Sequence, residues 1–167
     1  IKVLPHGLEI NENLSKFKEK QKNKAIFFSR IHHKKGLLEL IRSWSKIGPS
    51  NWELDIYGPV SDDNYFHKIK KEIESSQYSQ SIKIFDPVYI KEKKFEILFN
   101  SDLFILPSKS ENFGMSILEA LSLGVPVLTT TSTPWKILNS LNAGFVIEFS
   151  EQKGMNYRLW IDEGKSR

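Results

Sequence analysis

The chain has 167 residues, of which 40% are apolar and 26% are charged, and its formal net charge is +4 at pH 7. These values are typical of one folded domain, and they exclude an intrinsically disordered chain. The absence of cysteine excludes disulfides, thiolate metal sites and a cysteine nucleophile. The positive charge favours anionic partners without identifying them.

From residue 24 onward, apolar runs of strand length alternate with segments that have helical periodicity. This alternation predicts an α/β domain, a Rossmann-like doubly wound parallel sheet with helices on both faces. Thr133 and Pro134 are expected to open the last, short helix. The predicted strands are 25–29, 52–58, 82–85, 102–107, 125–130 and 144–149, and the predicted helices are 37–47, 62–75, 91–100, 117–124 and 134–141.

The two ends of the chain lack this alternation. Residues 1–23 turn at Pro5 and Gly7 and then become polar and lysine-rich, which indicates an exposed basic linker. Residues 151–167 contain apolar side chains without a clear period, which leaves a docked helix and a partly ordered tail as alternatives. We therefore assign the folded domain to residues 24–150.

Ligands of doubly wound sheets bind beyond the carboxyl ends of the strands, so the segment 107–121 is informative. Asn112 is predicted to cap the following helix, with Phe113, Gly114 and Met115 in a first turn that can bind an anion. Two carboxylates, Glu111 and Glu119, flank that turn. At ~1.5 Å rise per residue their backbones would lie on the order of 10 Å apart.

That spacing suits two separate hydrogen-bonding roles, one with a sugar on each side of a phosphate group. The alternative is that Glu111 is a first-turn acid favoured by the helix dipole and Glu119 is a surface residue. Arg30 and Lys35 follow the first strand and would lie where a diphosphate needs neutralising. Adjacent His32 and His33 point apart without a nearby acidic partner, so no metal site is predicted.

These residues resemble a known family, the retaining, nucleotide-sugar-dependent glycosyltransferases of the GT-B fold (family 4). FFSRIHHKKGLLELIRSW (27–44) is similar to their Gly-Arg-Leu…Lys-Gly segment, and SENFGMSILEALSLGVPVLTT (110–130) to their Glu-x7-Glu region. Shorter matches follow in the right order. They are PHGLE (5–9), IYGP (56–59), IKIFDPV (82–88) and TSTPW (131–135), of which the first resembles the junction between the two GT-B domains.

The resemblance implies that this chain is one half of a GT-B fold, the carboxy-terminal domain that binds the nucleotide-sugar donor. Three residues would have catalytic roles. Arg30 and Lys35 would bind the donor diphosphate and stabilise the leaving nucleotide, and Glu111 would bind donor-sugar hydroxyls. Glu119 would bind the ribose hydroxyls. The other donor-binding residues would be Phe113, Gly114 and Met115 through backbone amides, the Gly58 loop, and Val88 near the base. No metal and no cofactor other than the donor substrate are expected.

The resemblance also implies a glycan or lipid-linked acceptor, held by an amino-terminal domain that this chain lacks, so the chain alone should be catalytically incomplete. Family members commonly build surface polysaccharide, including lipopolysaccharide and capsule, in the cytoplasm at the inner face of the membrane. A basic surface would favour peripheral contact with anionic lipid. That surface includes Lys16, Lys18, Lys20, Lys22 and Lys24.

Several positions depart from the family pattern. Ser29 replaces a glycine, so the backbone there must avoid a positive φ or tolerate it at a cost. Asp86 replaces a glycine near the base. Ser132-Thr133 replaces Gly-Gly, and Trp135-Lys136 replaces the glutamate beside Pro134, so an acceptor- or sugar-side loop is expected to differ from that of the family.

Other functions are disfavoured. No Gly-x-Gly-x-x-Gly follows the first strand, as a dehydrogenase requires, and Gly164-Lys165-Ser166 lacks the rest of a P-loop. Scattered lysines without an aromatic platform argue against nucleic-acid binding. A phosphorylase or a sugar-nucleotide epimerase shares the architecture. The alternative from another class is a non-catalytic nucleotide- or partner-binding module of the same fold.

Overall fold

A computed structural model describes residues 23–148. The predicted tail (151–167) lies outside the described residues, as does the predicted interdomain junction and basic linker (1–23) apart from Asn23. None of the helices in the described part is long and apolar enough to cross a membrane.

The described residues form six strands and four α-helices, most within two residues of their predicted bounds. Three short 3₁₀ turns cover His33–Lys35, Ser79–Ser81 and Lys136–Leu138. The elements in chain order are β1 (Lys24–Phe28), α1 (Leu37–Ile47), β2 (Glu53–Tyr57), α2 (Asp63–Glu74), β3 (Ile82–Phe85), α3 (Lys91–Phe99), β4 (Leu103–Leu106), α4 (Met115–Ser122), β5 (Val127–Thr130) and β6 (Gly144–Ile147).

The strands form one parallel sheet in the order β3-β2-β1-β4-β5-β6. This is the doubly wound arrangement, because the chain runs outward from β1 to β3 and then returns to add β4 on the other side of β1. Helix α1 contacts α2, and α3 contacts α4. Right-handed crossovers put these two pairs on opposite faces of the sheet. The predicted fold class is confirmed.

Apart from Lys24 at the start of β1, the two central strands are apolar because helices cover both of their faces. In β1, Ala25, Ile26 and Phe27 are fully buried, and all four residues of β4 are buried. Helix α1 packs a stripe of apolar side chains onto the sheet. The Tyr65 hydroxyl on α2 accepts a hydrogen bond from the Leu38 backbone N–H (2.9 Å), which joins the two helices.

The prediction of a helix over 134–141 is wrong, because only the 3₁₀ turn Lys136–Leu138 forms there. Thr133 does not cap it. Its hydroxyl donates instead to the Thr130 carbonyl (2.9 Å), and its side chain is buried against β5.

Candidate functional site

The sheet reverses its winding between β1 and β4, and the loops that follow these two strands meet at its carboxyl edge. The Lys109 backbone N–H donates to the Lys34 carbonyl (2.8 Å), and the Ser108 hydroxyl lies 3.1 Å from the same oxygen. Gly36 lies against the Pro107 carbonyl so closely that a Cβ on Gly36 would be 2.1 Å from the Pro107 oxygen. The β1–α1 loop and the β4–α4 loop are therefore packed backbone to backbone.

The same contact brings together two of the predicted site residues. Lys35 Nζ lies 2.6 Å from Glu111 Oε2, and the two side chains are only 13% and 14% exposed. Water screens an ion pair between two mostly buried groups less than a solvent-exposed one, and the cost of removing both charges from water offsets part of the attraction. The predicted diphosphate-binding lysine and the predicted sugar-binding carboxylate thus neutralise each other in this structure.

Arg30 lies on the same loop but projects into solvent, and no carboxylate within residues 23–148 pairs with it. Its neighbours are also basic. Desolvation, together with the positive charges of His33, Lys34 and Arg30, lowers the pKa of His32 below its usual 6.5, and the negative charge of Asp62 only partly opposes this. This loop therefore has a positive potential that favours an anion.

The prediction that adjacent His32 and His33 point apart is wrong, because their rings lie 4.1 Å apart, centroid to centroid. In the described part of the chain, no three histidine or carboxylate side chains cluster as metal ligands. The expectation that no metal is needed stays a prediction.

Helix α4 begins at Met115 and points its amino terminus at this edge of the sheet. The prediction that Asn112 caps it, with Phe113 and Gly114 in the first turn, is wrong. Gly114 is itself the cap residue and has φ 80°, a conformation that a helical turn cannot contain. No side chain caps the helix in the described structure. The Ile117 N–H donates to the Gly114 carbonyl (2.9 Å), which leaves the N–H groups of Met115 and Ser116 at the start of the helix for a ligand.

The loop after β5 supports the β4–α4 loop from the other side. The Trp135 indole N–H donates to the Phe113 carbonyl (2.5 Å), and the two rings pack edge to face at 5.5 Å. The buried Thr130 hydroxyl donates to the Ser108 carbonyl (2.5 Å). Trp135, a departure from the family pattern, therefore contacts the segment that carries the predicted donor-binding amides.

Glu119, the second carboxylate of the pair, lies apart from the Lys35–Glu111 contact. It pairs with Lys94 of α3, and Lys94 also lies over the Phe28 ring at 5.2 Å. From Phe28, stacked rings continue across the ends of the first three strands, with Tyr57 at 5.4 Å and Phe85 a further 4.7 Å away. The two carboxylates are thus held by different lysines.

The remaining predicted residues lie after β2 and β3, at the same edge of the sheet. Gly58 is buried, and its backbone packs against the Ser29 carbonyl. Ser29 itself has a negative φ, so the replacement of the family's glycine is accommodated without strain. Val88 is half-buried against the core, and Asp86 is exposed. Sequence reasoning missed Lys94 and the contacts of Trp135 and Thr130, because no local pattern indicates which partner a side chain meets.

The chain is a doubly wound α/β domain. Its charged cluster, formed by Arg30, Lys35 and Glu111, lies at the switch point, where the winding of the sheet reverses between β1 and β4. A family model described as glycosyl transferases group 1 matches residues 10–159. The chain therefore belongs to the glycosyl transferases group 1 family.

Curated relatives carry related names. The chain is 34% identical over 111 residues to the poly(glycerol-phosphate) alpha-glucosyltransferase of Bacillus subtilis, covering 65% of this chain and 16% of that protein. It is 30% identical over 139 residues to the capsular polysaccharide biosynthesis glycosyltransferase CapM of Staphylococcus aureus, covering 80% of this chain and 34% of CapM. The chain thus spans about a third or less of the length of these relatives.

A solved structure has the same fold. The C-terminal domain of the glycosyl transferase group 1 family protein LpcC from Francisella tularensis superposes with a TM-score of 0.71 at 18% identity. The superposition covers 90% of this chain and 76% of that one. It supports the assignment of the Rossmann-like architecture to one half of a GT-B fold.

Proposed function

We propose that this chain is the donor-binding domain of a retaining glycosyltransferase, which transfers a sugar from a nucleotide-diphospho-sugar to a glycan or lipid-linked acceptor. One observation carries the proposal. A lysine and a carboxylate, 76 residues apart in sequence, meet at the switch point of the sheet, beside the exposed Arg30 and the uncapped amino terminus of α4. Cations and open backbone amides bind a diphosphate, and a carboxylate binds sugar hydroxyls.

In this proposal Arg30 and Lys35 neutralise the donor diphosphate. As the bond to the sugar breaks, negative charge develops on the leaving nucleotide, and positioned cations stabilise it. The backbone amides at Phe113, Gly114 and Met115 contact the phosphate and the sugar. Two cations and a helix terminus supply the neutralisation that a metal ion would otherwise provide, so no metal and no further cofactor is proposed.

The two carboxylates have different partners in this proposal. Glu111 accepts hydrogen bonds from the donor-sugar hydroxyls, and Glu119 from the ribose hydroxyls. Lys94, which already pairs with Glu119, holds that carboxylate in position. The base lies toward Val88 and the Gly58 loop, which follow β3 and β2 at the same edge of the sheet.

The acceptor is proposed to be a surface polysaccharide or its lipid-linked precursor, held by a second domain. The names of the two curated relatives support a cell-surface polymer. Their greater length, and the similarity to a structure described as a C-terminal domain, support a second domain. Lipopolysaccharide is a further acceptor class, and we place the reaction in the cytoplasm at the inner face of the membrane.

The proposal is tested by calorimetric titration of the chain with UDP, GDP, ADP and CMP. We expect one nucleoside diphosphate to bind in preference. Arg30→Ala should weaken that binding by about tenfold, since a hydrogen bond to a charged group is worth roughly 1.5–3 kcal/mol. Lys46→Ala, which removes an exposed lysine at the far end of α1, should leave it unchanged. If no nucleotide binds, or if both variants weaken binding equally, the donor site is elsewhere or absent.

A further inference from the structure

The Lys35–Glu111 ion pair has a consequence for what the proposed site can bind. Both groups lie at the edge where a diphosphate would need the lysine, and both are more than four-fifths buried. A ligand that binds Lys35 therefore competes with Glu111 for the charge of this lysine. The net free energy of binding then depends on the interactions that the ligand makes with Glu111.

Glu111 has little freedom to avoid this competition. Its Cγ is so close to the Gly114 backbone that a Cβ on Gly114 would lie 3.2 Å from it. The loop that carries it is held to the β1–α1 loop through Lys109 and Lys34. A carboxylate that loses its cation in such a place stays partly desolvated and unpaired, which is unfavourable.

We propose that Glu111 is a specificity-determining residue that makes this site select the intact nucleotide-diphospho-sugar over the free nucleoside diphosphate. The inference rests on the proposed function and adds a selection between donor and product to it. A nucleoside diphosphate takes Lys35 and places its own negative charge beside the abandoned carboxylate. Like charges at that distance repel. Binding of the free diphosphate therefore weakens the Lys35–Glu111 attraction and also adds a repulsion between the phosphate and Glu111.

The intact donor compensates both members of the pair. Its diphosphate binds Lys35, and its sugar presents neutral hydroxyl groups that donate hydrogen bonds to Glu111. The terminal phosphate is also esterified to the sugar, so it carries less negative charge than that of the free diphosphate. The nucleoside diphosphate left after transfer lacks those hydroxyls, so re-formation of the Lys35–Glu111 pair assists its release.

The test compares Glu111→Gln with the unaltered chain. Glutamine keeps the size and the hydrogen-bonding atoms but removes the charge that competes for Lys35. Glu72→Gln is the matched control, because Glu72 also pairs with a cation, Arg42 on α1, but belongs to α2. Binding is measured for UDP against UDP-glucose and for GDP against GDP-mannose by ligand-observed NMR, which detects millimolar affinities. Thermal unfolding of each variant shows that the fold is retained.

We expect Glu111→Gln to tighten binding of the nucleoside diphosphate by about tenfold, the effect of removing one charge-assisted contact that competes with it. Binding of the nucleotide-sugar should not tighten, and Glu72→Gln should change neither. Adding Lys35→Met to Glu111→Gln should abolish the gain if it acts through Lys35.

Different results would contradict selection by Glu111 and the proposed donor-binding function. If a nucleoside diphosphate binds and Arg30→Ala weakens it, yet Glu111→Gln leaves its affinity unchanged or lower, selection by Glu111 is overturned while the donor site stands. An equal gain in Glu72→Gln overturns it too, because the effect is then one of net charge. If no nucleotide binds either the unaltered chain or Glu111→Gln, the proposed function fails and the inference fails with it.

Discussion

Replacing Gly36 with alanine tests whether the stability of the domain depends on the close approach of the β1–α1 and β4–α4 loops. Gly36 has φ 71°, and its added Cβ would lie 2.1 Å from the Pro107 carbonyl oxygen. The left-handed backbone costs a residue with a Cβ roughly 1–2 kcal/mol. Forcing an extra methyl into packed structure costs about 1–3 kcal/mol more. The sum is roughly 2–5 kcal/mol, a large share of the roughly 5–15 kcal/mol that stabilises a domain.

The chain contains a matched control for this prediction. Gly124 has nearly the same φ, 70°, but an added Cβ would meet nothing within 4 Å. Gly124→Ala should therefore show the backbone cost alone. The assay is equilibrium urea unfolding of both variants, compared as the free energy of unfolding extrapolated to water. If Gly124→Ala loses as much stability as Gly36→Ala, the clash with Pro107 does not contribute and the reasoning is refuted.

Three further predictions concern the same edge of the sheet. Trp135→Phe keeps a ring against Phe113 but removes the N–H donor, and urea unfolding should show a loss of about 1 kcal/mol; no loss would mean that the hydrogen bond contributes nothing. Thr130→Val leaves the Ser108 carbonyl without its buried donor and should cost about 1–3 kcal/mol in the same assay, whereas an unchanged midpoint would contradict it. His32 should titrate by NMR below 6.5. A bound diphosphate would offset the positive charges around His32, so nucleotide should raise the pKa of His32. By linkage, nucleotide should then bind more tightly as the pH falls. If nucleotide does not change the pKa of His32, the diphosphate binds elsewhere.

Local patterns were enough to predict the architecture, because each strand and helix has its own periodicity. The apolar stripe of α1 and the apolar runs of β1 and β4 are properties of neighbouring residues, and a tertiary structure is not needed to recognise them. The parallel direction of the strands also follows from the alternation, since a helix between two strands carries the chain back so that the next strand runs the same way. Arg30, Lys35 and Glu111 could be placed at one edge of the sheet for the same reason.

Element ends were less predictable where a single backbone angle decided them. Asn112 is a good helix cap by residue type, yet Gly114 adopts a positive φ and moves the start of α4 to Met115. Likewise the Thr133 hydroxyl bonds back to β5, so it does not open a helix. In both places the residue type favoured a cap, but the backbone angle of Gly114 and the hydrogen bond of Thr133 decided where, or whether, a helix begins.

Only the tertiary structure decided which charged groups meet. The sequence assigned Lys35 to a diphosphate and Glu111 to a sugar, but it could not show that the two side chains form an ion pair across 76 residues. Nor could it pair Glu119 with Lys94, or Trp135 with the Phe113 carbonyl. Local periodicity reports what each segment buries, whereas a contact between distant segments depends on the order of the strands and the close packing of the loops at their ends.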